Sequence, residues 1–234
     1  QSIHFSSRWS VIASVVALTA CGGGDALQAQ TTTTTSPNTA VAVATTAAAT
    51  ITDIAYASVS SAQKLDVYVP DGSGPFPAVL LIHGGAFMMG DKGGESGNAK
   101  ALTAKGYVAV SVNYRLSGEA RFPAAVHDVK AAVRFVRANA ATYRIIPSKI
   151  GSWGASAGGN LSAMLGTTAG VADLEGADLG HADQSSRVLA SVDWFGPIDF
   201  LTMDTEAMAL GFTINTNAAS SPESRYLGAA VPSV

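Results

Sequence analysis

The stretch Ile150-Gly151-Ser152-Trp153-Gly154-Ala155-Ser156-Ala157-Gly158-Gly159-Asn160-Leu161-Ser162-Ala163-Met164-Leu165 decides how this chain is read. Ile150 to Trp153 is an apolar run that predicts a strand. Asn160 to Leu165 is a good start for a helix. Between them lies G-x-S-x-G, which in a strand-turn-helix context reads as a nucleophile elbow. A serine there sits on a strained turn that only small neighbours allow, which accounts for the glycines. The helix behind it aims its positive N-terminal end at the place where negative charge would develop. Ser156 is therefore the candidate nucleophile.

Working upstream, Ala78-Val79-Leu80-Leu81-Ile82 is a continuous apolar run, as expected of a strand buried on both faces. His83-Gly84-Gly85-Ala86-Phe87 follows it directly. Attack on a carbonyl needs fixed backbone N–H groups around the developing oxyanion, and small residues let a backbone approach closely. A loop of the HGG type supplies part of such a hole, and the residue after the nucleophile supplies another donor. The candidate donors are Gly84, Gly85 and Ala86 on the loop, with Ala157 after the serine. Phe87, Met88 and Met89 are placed to line an adjoining pocket.

The rest of the chain alternates strand and helix signals. Strands are predicted at 54–60, 65–69, 107–112 and 188–195. Helices are predicted at 98–105 and 124–138, with Pro123 opening the second at the favoured first position. Asp71-Gly72-Ser73-Gly74-Pro75 is turn chemistry. The alternation predicts an α/β fold, a mostly parallel sheet with helices on both faces. Trp153 and Trp194 fall in predicted strands and are expected in the core. Arg115 and Asp128 are a candidate structural ion pair.

At this point the chain resembles the α/β-hydrolase superfamily. Within it the likeness is to the bacterial feruloyl-esterase-like and hormone-sensitive-lipase-like carboxylesterases. It runs from about Ile51 to Gly228. It is carried by Leu65-Asp66-Val67-Tyr68-Val69-Pro70, the His83 loop, Val112-Asn113-Tyr114-Arg115-Leu116 and Phe122-Pro123-Ala124-Ala125. The elbow and Ser191-Val192-Asp193-Trp194-Phe195-Gly196-Pro197-Ile198-Asp199 complete it. Ala86 stands where many relatives have a third glycine, a mild change because the donor is a backbone N–H. The resemblance implies ester hydrolysis through an acyl-enzyme on Ser156.

The fold orders its triad as serine, acid, histidine. His4 lies near the start of the chain, and His83 belongs to the oxyanion loop, where its usual role is structural. His127 precedes the serine. His181 follows it, but in a polar loop. Asp193 and Asp199 lie in or after the 188–195 strand, whereas the resemblance places the acid one strand later and the histidine later still. The expectation is that both lie beyond Val234. On that expectation the domain over 51–234 lacks its last strands and helices, and this fragment is inactive. A gene that has itself lost the triad is the alternative.

Composition narrows the function classes. The chain has 234 residues, room for one large domain. Charged residues make up 13% and the net charge is −3, which does not suggest a nucleic acid or anionic-membrane partner. No His, Cys, Asp or Glu grouping has metal-ligand spacing and no cofactor motif occurs, so neither is expected. Arg8 precedes an apolar run from Trp9 to Ala20 that is too short to span a bilayer. It ends Leu18-Thr19-Ala20-Cys21, which resembles a bacterial lipobox, and Cys21 is the single cysteine. Residues 1–20 are thus expected to be a signal peptide and Cys21 the lipidated residue. Residues 21–50, rich in Gly, Thr and Ala, are expected to be a flexible tether. The expectation is an envelope-held enzyme acting on a small-molecule ester, touching membrane only through a lipid anchor, with its oligomeric state open. A serine peptidase of the same fold and a non-catalytic binding lipoprotein on the same scaffold are the alternatives.

Overall fold

The structure, a computed structural model, describes residues 47–233. His4, Cys21, the expected signal peptide and nearly all of the expected tether lie outside the described residues. Six strands form one sheet: β1 (Ala49–Ala55), β2 (Lys64–Val69), β3 (Phe76–Ile82), β4 (Val108–Val112), β5 (Ile145–Ala155) and β6 (Ser191–Trp194). Among the described residues five α-helices accompany them: α1 (Ser96–Thr103), α2 (Ala124–Ala138), α3 (Ala157–Thr167), α4 (Met203–Ala209) and α5 (Pro222–Leu227). Among the described residues no helix is long and apolar enough to cross a membrane.

The strand order is β1-β2-β4-β3-β5-β6. β1, β2 and β4 pair antiparallel, while β4, β3, β5 and β6 run parallel. Alternation along each strand sorts its side chains between two cores. Leu65, Val67, Leu80, Ile82, Val110 and Val112 face α2 and α3, meeting Val129, Val133, Leu161 and Leu165. The intervening Tyr68, Leu81 and Ala109 face α1 through Ala99 and Leu102. Burying one such Leu or Val side chain contributes roughly 1.5–3 kcal/mol, so the period of two fixes the strand register.

This topology positions the site. From β3 the chain crosses to β4 on one side, then returns to β5 on the other. The gap between the carboxyl ends of β3 and β5 is therefore a topological switch point, where open α/β sheets bind ligands. Ile82 and Gly154 are register partners there, so the His83 loop and the elbow emerge side by side.

Four local expectations are corrected. The first strand is Ala49–Ala55, not 54–60: Gln63 Oε1 accepts from the amides of Val59 and Ser60 and folds that segment into a turn. β1 thereby also takes the last two positions assigned to the tether. Pro123 precedes α2 as its cap, not as its first residue. The last strand shortens to Ser191–Trp194. Trp194 is 50% exposed, not core, and meets the half-buried Trp153 edge to face at 4.9 Å. Exposed large apolar side chains concentrate between Leu189 and Ile214.

Candidate active site

Ser156 sits between β5 and α3 with φ 56° and ψ −125°. This is a conformation that L-residues pay to adopt and that collects at functional sites. The strain is on the serine itself, and the flanking glycines answer a different need. A Cβ on Gly154 would run into the backbone of Gly158, and one on Gly158 into the carbonyl of Ile82. The first turn of α3 therefore lies hard against β3 and β5. The Ser156 amide donates to the Trp194 carbonyl at 2.9 Å, so β6 holds the elbow from its other side. Its hydroxyl makes no cap bond to α3 and lines a cavity of about 370 Å³.

The His83 loop forms the facing wall. Gly85, Ala86 and Phe87 all have positive φ, at 118°, 54° and 58°. Gly85 cannot carry a Cβ without striking Met89's carbonyl. Its own carbonyl accepts from the amides of Met88 and Met89 at 2.9 and 3.0 Å, which closes the turn. Ala86 therefore holds a conformation glycine would take without strain, a cost that its spacing in the sequence did not reveal. The amides of Gly85 and Ala86 donate no hydrogen bond among the described residues. The Ala157 amide is the first of α3 and has no acceptor within the helix. Ala86, Ala157 and Ser156 line the same cavity. Gly84 serves close approach: a Cβ there would meet the Ala155 carbonyl at 2.9 Å and Ser156 Cβ at 3.4 Å.

His83 is a strut of this loop. Its Nδ1 donates to the Gly84 carbonyl at 2.7 Å, which fixes Nδ1 as the protonated nitrogen of the neutral ring. The ring stacks on Tyr114 at 4.5 Å, and the Tyr114 hydroxyl donates to the His83 carbonyl at 2.9 Å. Burial lowers the His83 pKa and so favours that neutral ring. Burial pushes the Tyr114 phenol up for the same reason. Phe87 is stacked on Tyr226 of α5 at 3.9 Å, so a helix that sequence reading did not foresee buttresses the loop. Met89, expected to line a pocket, is 61% exposed.

The remaining candidates make their contacts elsewhere than in the Ser156 cavity. His127 Nε2 donates to the Asp173 carbonyl at 2.9 Å. His181 stands edge-on to Phe135 at 5.7 Å, on the flank of α2 where Arg134 binds the carbonyls of Glu175, Gly176 and Gly180. Asp193 accepts from the Gly196 amide at 2.8 Å, and Asp199 from the Leu201 amide at 3.0 Å. None of these four lines the Ser156 cavity. One acidic residue does that sequence reading passed over: Glu223 of α5. Its signal, a lone acid after Ser221-Pro222, reads as ordinary helix-start chemistry. Among the described residues no group of three or more His, Cys, Asp or Glu is arranged to hold a metal.

A mostly parallel sheet flanked by helices, with a strained serine elbow beside a glycine loop at its switch point, defines an α/β-hydrolase fold. The chain belongs to the BD-FAE family, whose model matches residues 65–233. It is 32% identical over 152 residues to the probable carboxylic ester hydrolase LipM of Mycobacterium tuberculosis, covering 63% of this chain and 35% of that protein. Among solved structures it is similar to a bifunctional GH43-CE protein of Bacteroides eggerthii. That match has 42% identity and a TM-score of 0.69, over 77% of this chain and 24% of the other. A truncated form of a carbohydrate esterase from gut microbiota is 38% identical with a TM-score of 0.70, over 77% and 65%. The chain spans about a third of the length of the curated relatives it matches, 35% of LipM and 30% of an AB hydrolase superfamily protein of Schizosaccharomyces pombe.

Proposed function

We propose that the protein hydrolyses carboxylic esters through an acyl-enzyme on Ser156. The observation that carries this reading is the positive-φ serine sharing a cavity with Ala86 and Ala157, beside a loop whose Gly85 and Ala86 amides donate no hydrogen bond among the described residues. Serine Oγ bonds to the ester carbonyl carbon, and the carbonyl oxygen takes the negative charge under those amides and that of Ala157. The bond to the alcohol oxygen then breaks, and the alcohol leaves with the proton that Oγ gave up. Water repeats the sequence on the acyl-enzyme and releases the acid. The relatives described as carboxylic ester hydrolase and carbohydrate esterase favour esters over amides, and esters of carbohydrate hydroxyls among them.

The test compares p-nitrophenyl acetate, acetylated methyl xyloside and a peptide p-nitroanilide. Turnover of the esters is expected of a protein that supplies the triad acid and histidine, and turnover of the anilide alone would replace this reading with the peptidase one. His127→Ala and His181→Ala are each expected to leave p-nitrophenyl acetate turnover within about threefold, because both rings are engaged away from the cavity. A loss of roughly a hundredfold or more in either would make that histidine the base.

We further propose that Cys21 carries a lipid anchor at the bacterial envelope, on the strength of Leu18-Thr19-Ala20-Cys21 behind an apolar run. Cys21→Ser is expected to accumulate as an uncleaved precursor that takes up no labelled palmitate. Palmitate on the serine variant would overturn the assignment.

A further inference from the structure

Glu223 is 9% exposed, and its Oε2 is buried without a hydrogen-bond partner. It makes no hydrogen bond or ion pair among the described residues. A buried carboxyl oxygen in that state costs about what a lost hydrogen bond costs, so it asks for a donor. The helix offers one that Glu223 does not use. α5 starts Ser221-Pro222-Glu223, where an acid commonly turns back to the free amides of the first turn. Here Ser221 Oγ accepts from the Ser224 amide at 3.0 Å instead, and Glu223 lies on the wall of the Ser156 cavity. Apart from Ser156, the other residues on that wall, among them Ala86, Phe87, Pro197 and Met203, have no polar side-chain atom except the thioether of Met203. Thus, among the described residues, the cavity holds one nucleophilic hydroxyl and one strong side-chain acceptor, set in an apolar lining.

We propose that Glu223 is a specificity residue, whose carboxyl accepts a hydrogen bond from a free hydroxyl on the alcohol part of the ester. It would favour esters of polyols such as sugars over esters of alcohols without a second hydroxyl. This rests on the ester-hydrolase reading and adds to it the residue that chooses the alcohol. A site built to bond a substrate hydroxyl rejects an analogue lacking it, because its own buried polar group is then left unpaired. A residue kept for binding also predicts a trade-off with stability. Replacing an orphaned buried carboxyl by an apolar side chain of similar size removes a cost from the free protein.

The experiment compares the full-length wild type with Glu223→Leu and Glu223→Gln. Three readouts are taken: kcat/KM on monoacetylated methyl xyloside and on p-nitrophenyl acetate, calorimetric titration with methyl xyloside, and the melting temperature. Glu223→Leu is expected to lose about 10–100-fold on the sugar ester, with less than about threefold change on the aryl ester. It should also bind methyl xyloside at least about tenfold more weakly and melt no lower than wild type. Glu223→Gln keeps an acceptor oxygen and is expected to fall between the two. Equal losses on both esters would assign Glu223 to the reacting groups, and no loss on either would leave it without a role in recognition. A lower melting temperature for both variants would make it a structural residue. Each of these outcomes overturns the proposal. A wild type that turns over neither ester ends the ester-hydrolase reading instead, and the xyloside titration and melting temperature then decide the role of Glu223 alone.

Discussion

Ser156→Ala is expected to remove ~10⁴–10⁶ of the turnover of a short-chain ester, the range measured when a nucleophile or its base is deleted from such sites. It should also abolish covalent labelling by a fluorophosphonate. The fold is expected to survive. The substitution removes only the hydroxyl, which makes no cap bond to α3. It keeps the Cβ, so the strain of the 56° φ is the same in both proteins. The packing of Gly154 and Gly158 against β3 and α3 is untouched. Stability should therefore change by no more than about 0.5 kcal/mol, as for a substitution away from packed features. Retention of more than a tenth of wild-type turnover would remove Ser156 from its role, whatever the elbow's shape.

The parts of the fold that could be read from the sequence are those where burial imposes a pattern. β3 is an unbroken apolar run, and β4 is fully buried and interrupted only by Ser111. α2 repeats Val126, Val129, Val133 and Val136 on one face and ends near its predicted boundary. The elbow and the His83 loop were legible because close backbone approach leaves only glycine at fixed places, and Gly158 beneath the Ile82 carbonyl is one such place. β1 was misplaced because it is an exposed edge strand with no apolar alternation to mark it. α4 and α5 have seven and six residues, too short to show a helical period. With α5 went Tyr226 and Glu223, which reach the site through contacts distant in sequence. The strain at Ala86 was hidden for another reason: a residue name carries no φ. The assignment of His83 to structure rather than catalysis followed from its place in the loop, and its bonds to Gly84 and Tyr114 supply the physical cause.

Away from the site, the largest stability loss from one side chain is expected at Asp128. Arg115 and Asp128 were paired on the sequence as a candidate, and the structure gives that pair a wider role. Asp128 is fully buried on α2. Its Oδ1 accepts from Arg115 Nη2 at 2.8 Å and from Gln63 Nε2 at 2.7 Å. Its Oδ2 accepts from the Arg115 amide at 2.8 Å and from Nε at 2.9 Å. Gln63, itself buried, holds the turn between β1 and β2 through the amides of Val59 and Ser60. One carboxylate thus ties α2 to the segment after β4 and to the β1–β2 turn. Asp128→Ala would strand a guanidinium whose side chain is only 14% exposed, together with a buried amide. Removing one partner of a buried, hydrogen-bonded pair costs about 3–5 kcal/mol, far more than the net worth of the pair, because the other charge is left unpaired. For a domain of this size that corresponds to a fall of roughly 10 °C in melting temperature. The double variant Asp128→Ala with Arg115→Met is expected to recover part of the loss, since it removes the stranded charge as well. Urea unfolding of the wild type, Asp128→Ala, Arg115→Met and the double variant gives the measurement. A single-variant cost below about 1 kcal/mol, or a double variant that loses the sum of the two singles, would show that these groups do not act as one buried network.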